Sequence, residues 1–196
     1  MKFLLTRLLI VFTLGFISST PAAEIYKFDP LHTSVEWRVN HLGFSNPSGK
    51  WFANGEIVFD KTNIANSKVS VIIQMASLVT GIPDLDKHLS SDAFFDVAKF
   101  PTASFVSTKI KMTSKTKLTV YGNLTLHGVT KPITLYMTIN KIGDNIVTNK
   151  PAIGVSGHTT ITRADYDINS FFPGLGDDAD INIQAEAELT GGNNGN

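Results

Sequence analysis

The sequence predicts an all-β fold of eight antiparallel strands closed into a barrel, with a short helical segment near residues 83–97. Three observations carry this. Eight stretches alternate apolar and polar side chains at period two, the mark of strands with one buried face. Several are long: ten residues at about 3.4 Å each reach roughly 34 Å, which favours a barrel over a two-sheet sandwich. The alternation breaks at Asp84–Pro101, where a helical spacing replaces it.

The chain has 196 residues, and its start is read apart from the fold. Lys2 and Arg7 form a basic region, Leu8 to Ile17 an apolar run, and Ser18 to Ala23 a small-residue tract. This is the layout of a secretory signal peptide over residues 1–23, cleaved near Ala22 or Ala23. The apolar run is short of the ~20 residues that a spanning helix requires, which argues against a retained anchor. Residues 24–196 then form one domain. Without Lys2 and Arg7 the balance is 15 basic against 17 acidic residues, and no basic cluster occurs. Such a chain is a poor partner for nucleic acid or anionic membrane surfaces. The absence of cysteine removes disulfides, thiol catalysis and thiolate metal sites, so stability must come from the core.

Taken in order, the mature chain opens with Glu24 to Asp29 and Pro30. Val35, Trp37 and Val39 then alternate with Glu36, Arg38 and Asn40 in a strand over Ser34–His41. Gly43 to Gly49 reads as a loop from its turn residues. A short strand follows near Glu56–Asp60, with Ile57 and Phe59 on one side. In Lys68–Ala76, Val69, Val71, Ile73 and Met75 share a face. Ile82, Leu85 and Leu89 recur at helical spacing behind Pro83, which suits a first helical turn. Asp92 is read as the N-cap of a second short turn carrying Phe94 and Phe95.

Strand character returns at Thr102–Ile110, where Phe105 and Val106 compete for the inward position. Lys117–Leu126 places Leu118, Val120, Leu124 and Leu126 together. The link His127–Pro132 reads as a hairpin connection. Ile133, Leu135, Met137 and Ile139 follow, then Ile153, Val155 and Ile161 within Ala152–Thr162. Arg163–Asp178 reads as a long loop. The last strand sets Ala179, Ile181, Ile183, Ala185, Ala187 and Leu189 against polar neighbours, and Gly191–Asn196 is a polar, frayed tail.

The apolar faces carry almost no charge, with His41 the main ionisable candidate among them. A cavity walled this way would take an apolar chain. At about 0.8 kcal/mol per buried CH₂, one five-carbon prenyl unit contributes roughly 4 kcal/mol before ordering costs. Periodicity alone leaves a hollow barrel and a filled core both open, and favours the filled one because most apolar strand faces are simply core.

Four motifs shift that balance: Phe28–Gly43; Asp86–Asp96 followed by Phe100-Pro101; Gly122–Pro132; and Arg163-Ala-Asp-Tyr166. Together and in this order they resemble the YceI family of exported lipid-binding proteins, over about residues 25–189. The chain departs from the family pattern at Leu85, where a basic residue is usual, and at Asp167, where glycine is usual. The resemblance implies a lipocalin-like barrel with an elongated apolar tunnel and a short helical segment beside its mouth. It implies a periplasmic carrier of a polyprenyl, quinone-like or long-chain amphiphile, with that lipid as ligand and no other cofactor, no metal and no catalytic residue.

On this reading Val35, Trp37, Val39, Ile57, Phe59, Val71, Ile73, Phe105, Leu118, Val120, Leu135, Met137, Ile181 and Ile183 line the tunnel, while Leu89, Phe94 and Phe95 anchor a lid. Asp86 and His88 are expected to be turn and cap residues. His32, His41, His88, His127 and His158 show no ligand spacing, and a zinc site needs three or four converging ligands. Arg163 and Asp165 are expected to form a local salt bridge holding the long loop, and Asp177 and Asp178 to be solvated turn acids rather than a calcium site. Two alternatives stand beside the carrier. One is a hydrolase of such lipids using His41 or His88 as base, without a Gly-x-Ser-x-Gly elbow to support it. The other is a filled-core adaptor that engages a partner with its surface. Monomer and homodimer are both open.

Overall fold

Nine strands and one α-helix make up the computed structural model, which describes residues 23–191. The strands are β1 (Glu24–Phe28), β2 (Ser34–His41), β3 (Ser48–Phe59), β4 (Lys68–Gln74), β5 (Thr102–Met112), β6 (Lys117–Leu126), β7 (Val129–Asp144), β8 (Pro151–Thr162) and β9 (Leu175–Gly191). Helix α1 (Pro83–Ser90) lies between β4 and β5. All pairings are antiparallel, and the order β3-β2-β9-β8-β7-β6-β5-β4 closes through β3–β4. The barrel therefore has eight staves although the described residues form nine strands. β1 and β2 share one stave, since both pair with β3 on one side and β9 on the other. Pro30, which has no amide proton to donate, sits in the turn that divides them.

One end of the barrel carries the β2–β3 loop, α1 with the turns after it, the β6–β7 hairpin and the β8–β9 connection. The opposite end carries the β3–β4, β5–β6 and β7–β8 connections. The sequence expectations for residues 1–22 and 192–196, the signal peptide and most of the tail, lie outside the described residues.

The strand faces follow the period-two pattern wherever the ladder is regular. On β5, Phe105 is buried and Val106 is 53% exposed, which decides between the two. Besides the earlier start of β7 at Val129, within the link read over His127–Pro132, three departures bear on the barrel. β3 begins at Ser48 rather than near Glu56, because Trp51 and Ala53 alternate inward through a stretch that Asn54-Gly55 makes look like a turn. Gly55 carries that strand on at a φ of +140°, where an added Cβ would run into the Ser70 carbonyl of β4. Only Pro83–Ser90 of the 83–97 segment is α-helical. The chain then turns through residues 91–97, with the Ser91 hydroxyl accepting from the Ala93 N–H and Asp92 exposed, so Asp92 is not the cap. The long loop is shorter than expected, since a single 3₁₀ turn covers Arg163–Tyr166 and β9 already starts at Leu175.

His41 also departs from its expected face. The β2–β9 register slips between Val39 and His41, so the residue that strict alternation turns inward is exposed. Regular pairing would set His41 opposite Asp177, two residues from the observed partner Leu175, so the ladder is irregular at the end of β2 and strict alternation no longer holds there.

At the end opposite α1, Asp60 organises the β3–β4 turn. Its carboxylate accepts from the Thr62 N–H (2.8 Å) and hydroxyl (2.6 Å), the Asn63 N–H (2.9 Å) and the Asn66 amide (3.0 Å). These bonds, the Thr62 hydroxyl foremost, hold its pKa below the ordinary carboxylate value of 3.8. A carboxyl depressed in the folded state contributes its full stabilisation above its unfolded pKa and loses it as pH falls below about 4. Asp60→Ala should therefore flatten the acid limb of a stability-versus-pH curve measured by urea unfolding, relative to the unsubstituted protein.

Candidate functional site

The inward faces of the staves do not meet. They enclose a cavity of about 210 Å³ bordered by all eight staves and by the segment that follows α1. On β9 its wall runs from Leu175 to Ala185, ten residue steps or roughly 34 Å along the strand at about 3.4 Å each. Nearly every bordering residue is apolar; the exceptions are Thr33, Ser67, Thr159 and Arg163. Native cores seldom leave voids larger than a water molecule. At about 24 cal/mol per Å³, an empty cavity of this size costs roughly 5 kcal/mol. Water gains little from such a wall, because it needs two or more polar partners. The arrangement is suited to an elongated apolar guest.

Each of the fourteen residues expected to line a tunnel borders this cavity: Val35, Trp37 and Val39 on β2, Ile57 and Phe59 on β3, Val71 and Ile73 on β4, Phe105 on β5, Leu118 and Val120 on β6, Leu135 and Met137 on β7, and Ile181 and Ile183 on β9. Sequence reasoning missed Trp51 and Ala53 because it read their stretch as outside any strand. It also passed over Leu124 and Leu126, whose apolar parity was plain, and Ile168 from the β8–β9 connection.

Glycines on neighbouring staves make room for the larger side chains. Phe105 packs over Gly122, and Met137 lies over Gly157. Trp37 covers Gly49, where an added Cβ would sit 2.7 Å from Cζ2 of its ring. Gly122→Ala should therefore force the Phe105 ring off its site and cost about 2 kcal/mol by overpacking, read as a lower denaturation midpoint with an unchanged m-value.

Leu89, Phe94 and Phe95 border the cavity at the α1 end. Leu89 and Phe94 are buried, and Leu85 packs against the same cluster, while Ile82 is 58% exposed and stands outside the expected helical stripe. Phe95 meets Trp51 edge-on with ring centroids 5.0 Å apart, and Phe94 stacks on Phe171 of the β8–β9 connection at 5.9 Å. The Ser170 hydroxyl donates to the Ala93 carbonyl and ties the two segments together. Asp86 accepts from the N–H (2.7 Å) and hydroxyl (2.6 Å) of Thr80, which fixes the chain entering the helix. Exposed apolar side chains gather at this end, among them Phe44 (89% exposed), Phe171 (66%) and Phe172 (61%).

Arg163 is buried, and its partners correct the expected salt bridge. Its Nε donates to the Gly176 carbonyl (2.8 Å), and its terminal nitrogens donate to the carbonyls of Leu175 (3.3 Å) and Ser170 (3.5 Å). Asp165 pairs instead with Lys131 at 3.4 Å. Arg163 does hold the β8–β9 connection, but through backbone carbonyls, which accept the planar guanidinium fork as a carboxylate would. Burial lowers its pKa from the ordinary 12.5 while Asp177 acts in the opposite sense. Asp177 accepts from the Ala164 N–H (2.9 Å) and Asp178 from the Thr162 hydroxyl (3.2 Å), so both acids are engaged by the chain itself.

The histidines lie off the cavity wall. His32 bonds Asp29 (2.6 Å), His127 bonds the Tyr166 carbonyl (3.0 Å), His88 packs on Phe94 and Phe171, and His158 stacks on Tyr136. Among the described residues no group of three or more His, Asp or Glu side chains could hold a metal ion. No helix among them is long and apolar enough to cross a membrane.

The barrel has relatives of known structure. A YCEI protein of Campylobacter jejuni superposes with a TM-score of 0.69 at 31% identity, covering 78% of this chain and 90% of that one. A polyisoprenoid binding domain from Saccharophagus degradans has the same fold at 14% identity, with a TM-score of 0.64 over 84% of this chain and 98% of that one. In sequence, a UPF0312 protein of Vibrio parahaemolyticus is 37% identical over 158 residues, 80% of this chain and 81% of the relative. The model of the YceI-like domain matches residues 26–187, from the first strand to the last, and the chain belongs to the YceI family.

Proposed function

We propose that the protein is an exported, periplasmic carrier that sequesters or transports a polyprenyl, quinone-like or long-chain amphiphile with its tail inside the barrel. The observation that carries this reading is the cavity itself: about 210 Å³, walled by all eight staves and almost wholly apolar. Membership of the YceI family and the shared fold with a polyisoprenoid binding domain support it. A filled-core adaptor would not keep a void that costs roughly 5 kcal/mol when empty. The hydrolase alternative gains no support from the geometry, since His41 is exposed and His88 packs on phenylalanines outside the cavity wall. The protein acts by binding, with no cofactor besides its lipid.

Native mass spectrometry and organic extraction of the purified protein should release a copurifying lipid. The delipidated protein should take up prenyl or acyl chains at micromolar concentration, with a rise in melting temperature as the cavity fills. Failure to bind either class would overturn the reading.

In the same proposal Leu89, Phe94 and Phe95 form a lid over the α1 end. Phe94→Ala combined with Phe95→Ala should speed lipid release in a stopped-flow transfer assay by more than its loss of stability accounts for. Unfolding of the barrel with unchanged release from the folded fraction would make these residues core and no gate.

A further inference from the structure

At the end opposite α1 the barrel carries a second, open cleft of about 540 Å³, bounded by the β3–β4 turn, the β5–β6 turn and the end of β7. Phe59, Ile64 and Ile139 border both this cleft and the apolar cavity, so the two spaces adjoin at these side chains. Their chemistry differs. Lys61, Lys115 and Lys141 line the cleft, and among the described residues no aspartate or glutamate does.

The sequence spreads these lysines over separate stretches, which is why it shows no basic cluster; closure of the barrel brings them to one rim. Little of their charge is spent within the protein. Lys115 and Lys141 form no ion pair among the described residues, and Lys61 pairs with Glu24 (2.7 Å) while its side chain is 58% exposed. Asp60, next to Lys61 in the chain, is occupied by the donors of its own turn. Asn140, also on the cleft, accepts from the Ser156 hydroxyl (3.0 Å) through its oxygen and keeps its amide N–H groups as donors. The two ends of the barrel differ in sign. Residues 75–101 and 163–174 at the α1 end carry six aspartates against Lys87, Lys99 and Arg163. The three connections at the opposite end carry Asp60 against Lys61, Lys115 and Lys150. The summed field draws an anion to the cleft and away from α1.

We propose, resting on the carrier reading above, that this cleft is the head-group site and that the guest's head is an anion, a phosphate or carboxylate, received by Lys61, Lys115 and Lys141 while its tail passes Phe59, Ile64 and Ile139 into the cavity. The donor set selects this chemistry. An ammonium group donates and cannot accept, so the group it meets must be an acceptor, and charge-assisted bonds favour an anion over a neutral carbonyl or hydroxyl. A cationic head would meet like charge. In an open cleft the head keeps part of its hydration and avoids the cost that burial in the apolar cavity would impose. The tip of the tail then lies toward Leu89, Phe94 and Phe95, and head and lid belong to opposite ends.

The test uses the delipidated protein and three probes with one tail: hexadecyl phosphate, hexadecanol and hexadecylamine. Hexadecyl phosphate should bind at least about tenfold more tightly than hexadecanol at low salt, and hexadecylamine more weakly than either. Because the cleft is open to water, the phosphate advantage should shrink as ionic strength rises. Lys115→Gln combined with Lys141→Gln should bring the phosphate-to-alcohol affinity ratio to within about threefold. Lys87→Gln combined with Lys99→Gln, at the α1 end, should leave that ratio unchanged. If the first variant fails to fold, the probe ratio and its salt dependence in the unsubstituted protein decide. Equal affinity for phosphate and alcohol, or a ratio that survives the loss of Lys115 and Lys141 or follows the α1-end lysines, would overturn the head-group site and leave the carrier standing. Inorganic phosphate that displaces hexadecyl phosphate at equal concentration would mark a free-anion site and overturn it too. If none of the three probes binds, the carrier reading falls and the head-group site falls with it.

Discussion

Ala53→Phe combined with Ala103→Phe should abolish long-chain binding while leaving the barrel folded. Ala53 and Ala103 are 1% and 2% exposed and border the cavity from β3 and β5. Both oppose Ile73 of β4, so they lie at one level on three adjacent staves. Two phenyl rings directed into the void would block the path of a tail along the barrel. Excluding about four methylene groups forfeits roughly 3 kcal/mol, on the order of a hundredfold in Kd. Elsewhere in a core such enlargements cost about 1–3 kcal/mol each, but here a void is available to receive them. The expected result is a Kd raised at least about a hundredfold for a prenyl or acyl probe, with far-UV circular dichroism unchanged and the melting temperature of the lipid-free protein equal or higher. Unchanged affinity in a folded variant would mean that the guest binds elsewhere.

Arg163→Met should be the most destabilising single substitution on the barrel rim, at about 3 kcal/mol. The guanidinium ties three carbonyls, those of Ser170, Leu175 and Gly176, into one turn, and charge-assisted hydrogen bonds contribute about 1.5–3 kcal/mol each when well formed. The bond to Gly176 is the short one at 2.8 Å; the others are longer and count for less. Removing the buried charge recovers part of its desolvation cost, which keeps the total below the sum of the bonds. At ~2–4 °C per kcal/mol for a domain of this size, the melting temperature should drop by about 6–12 °C. Amide exchange should accelerate across residues 164–177 and remain slow in the β5–β6 ladder. Arg163→Lys should recover little, since one ammonium cannot span the fork of acceptors. A melting temperature within about 2 °C of the original would show that the β8–β9 connection is held by other contacts, such as Phe171 on Phe94 and Ser170 on the Ala93 carbonyl.

The inward faces were legible in the sequence because alternation is local: successive side chains on a strand must point to opposite sides, whatever the strand pairs with. Val71, Leu118, Ile181 and their like could be assigned to the inward face from parity alone. Parity failed where the backbone departs from a regular ladder. His41 lies beyond a slip in the β2–β9 register and turns outward. Trp51 and Ala53 lie before Asn54-Gly55, a pair that reads as a turn and here continues a strand. Arg163 looked like half of an ion pair with its near neighbour Asp165, whereas its acceptors are carbonyls 7 to 13 residues onward that only the folded connection brings together.

Alternation broke at Asp84–Pro101. Local patterning was enough to show that this stretch is not strand, that a short helix starts at Pro83, and that Phe94 and Phe95 need cover. It also determined eight staves' worth of alternating chain and the apolar character of their inner faces. Three things were decided by tertiary structure. The β3–β4 pairing closes the sheet, β1 and β2 share a stave, and the barrel stays hollow. The reason is physical. Side-chain direction is a property of two or three consecutive residues, but whether eight inward faces fill the space between them depends on barrel radius, register and summed side-chain volume, which are properties of the whole closed ring.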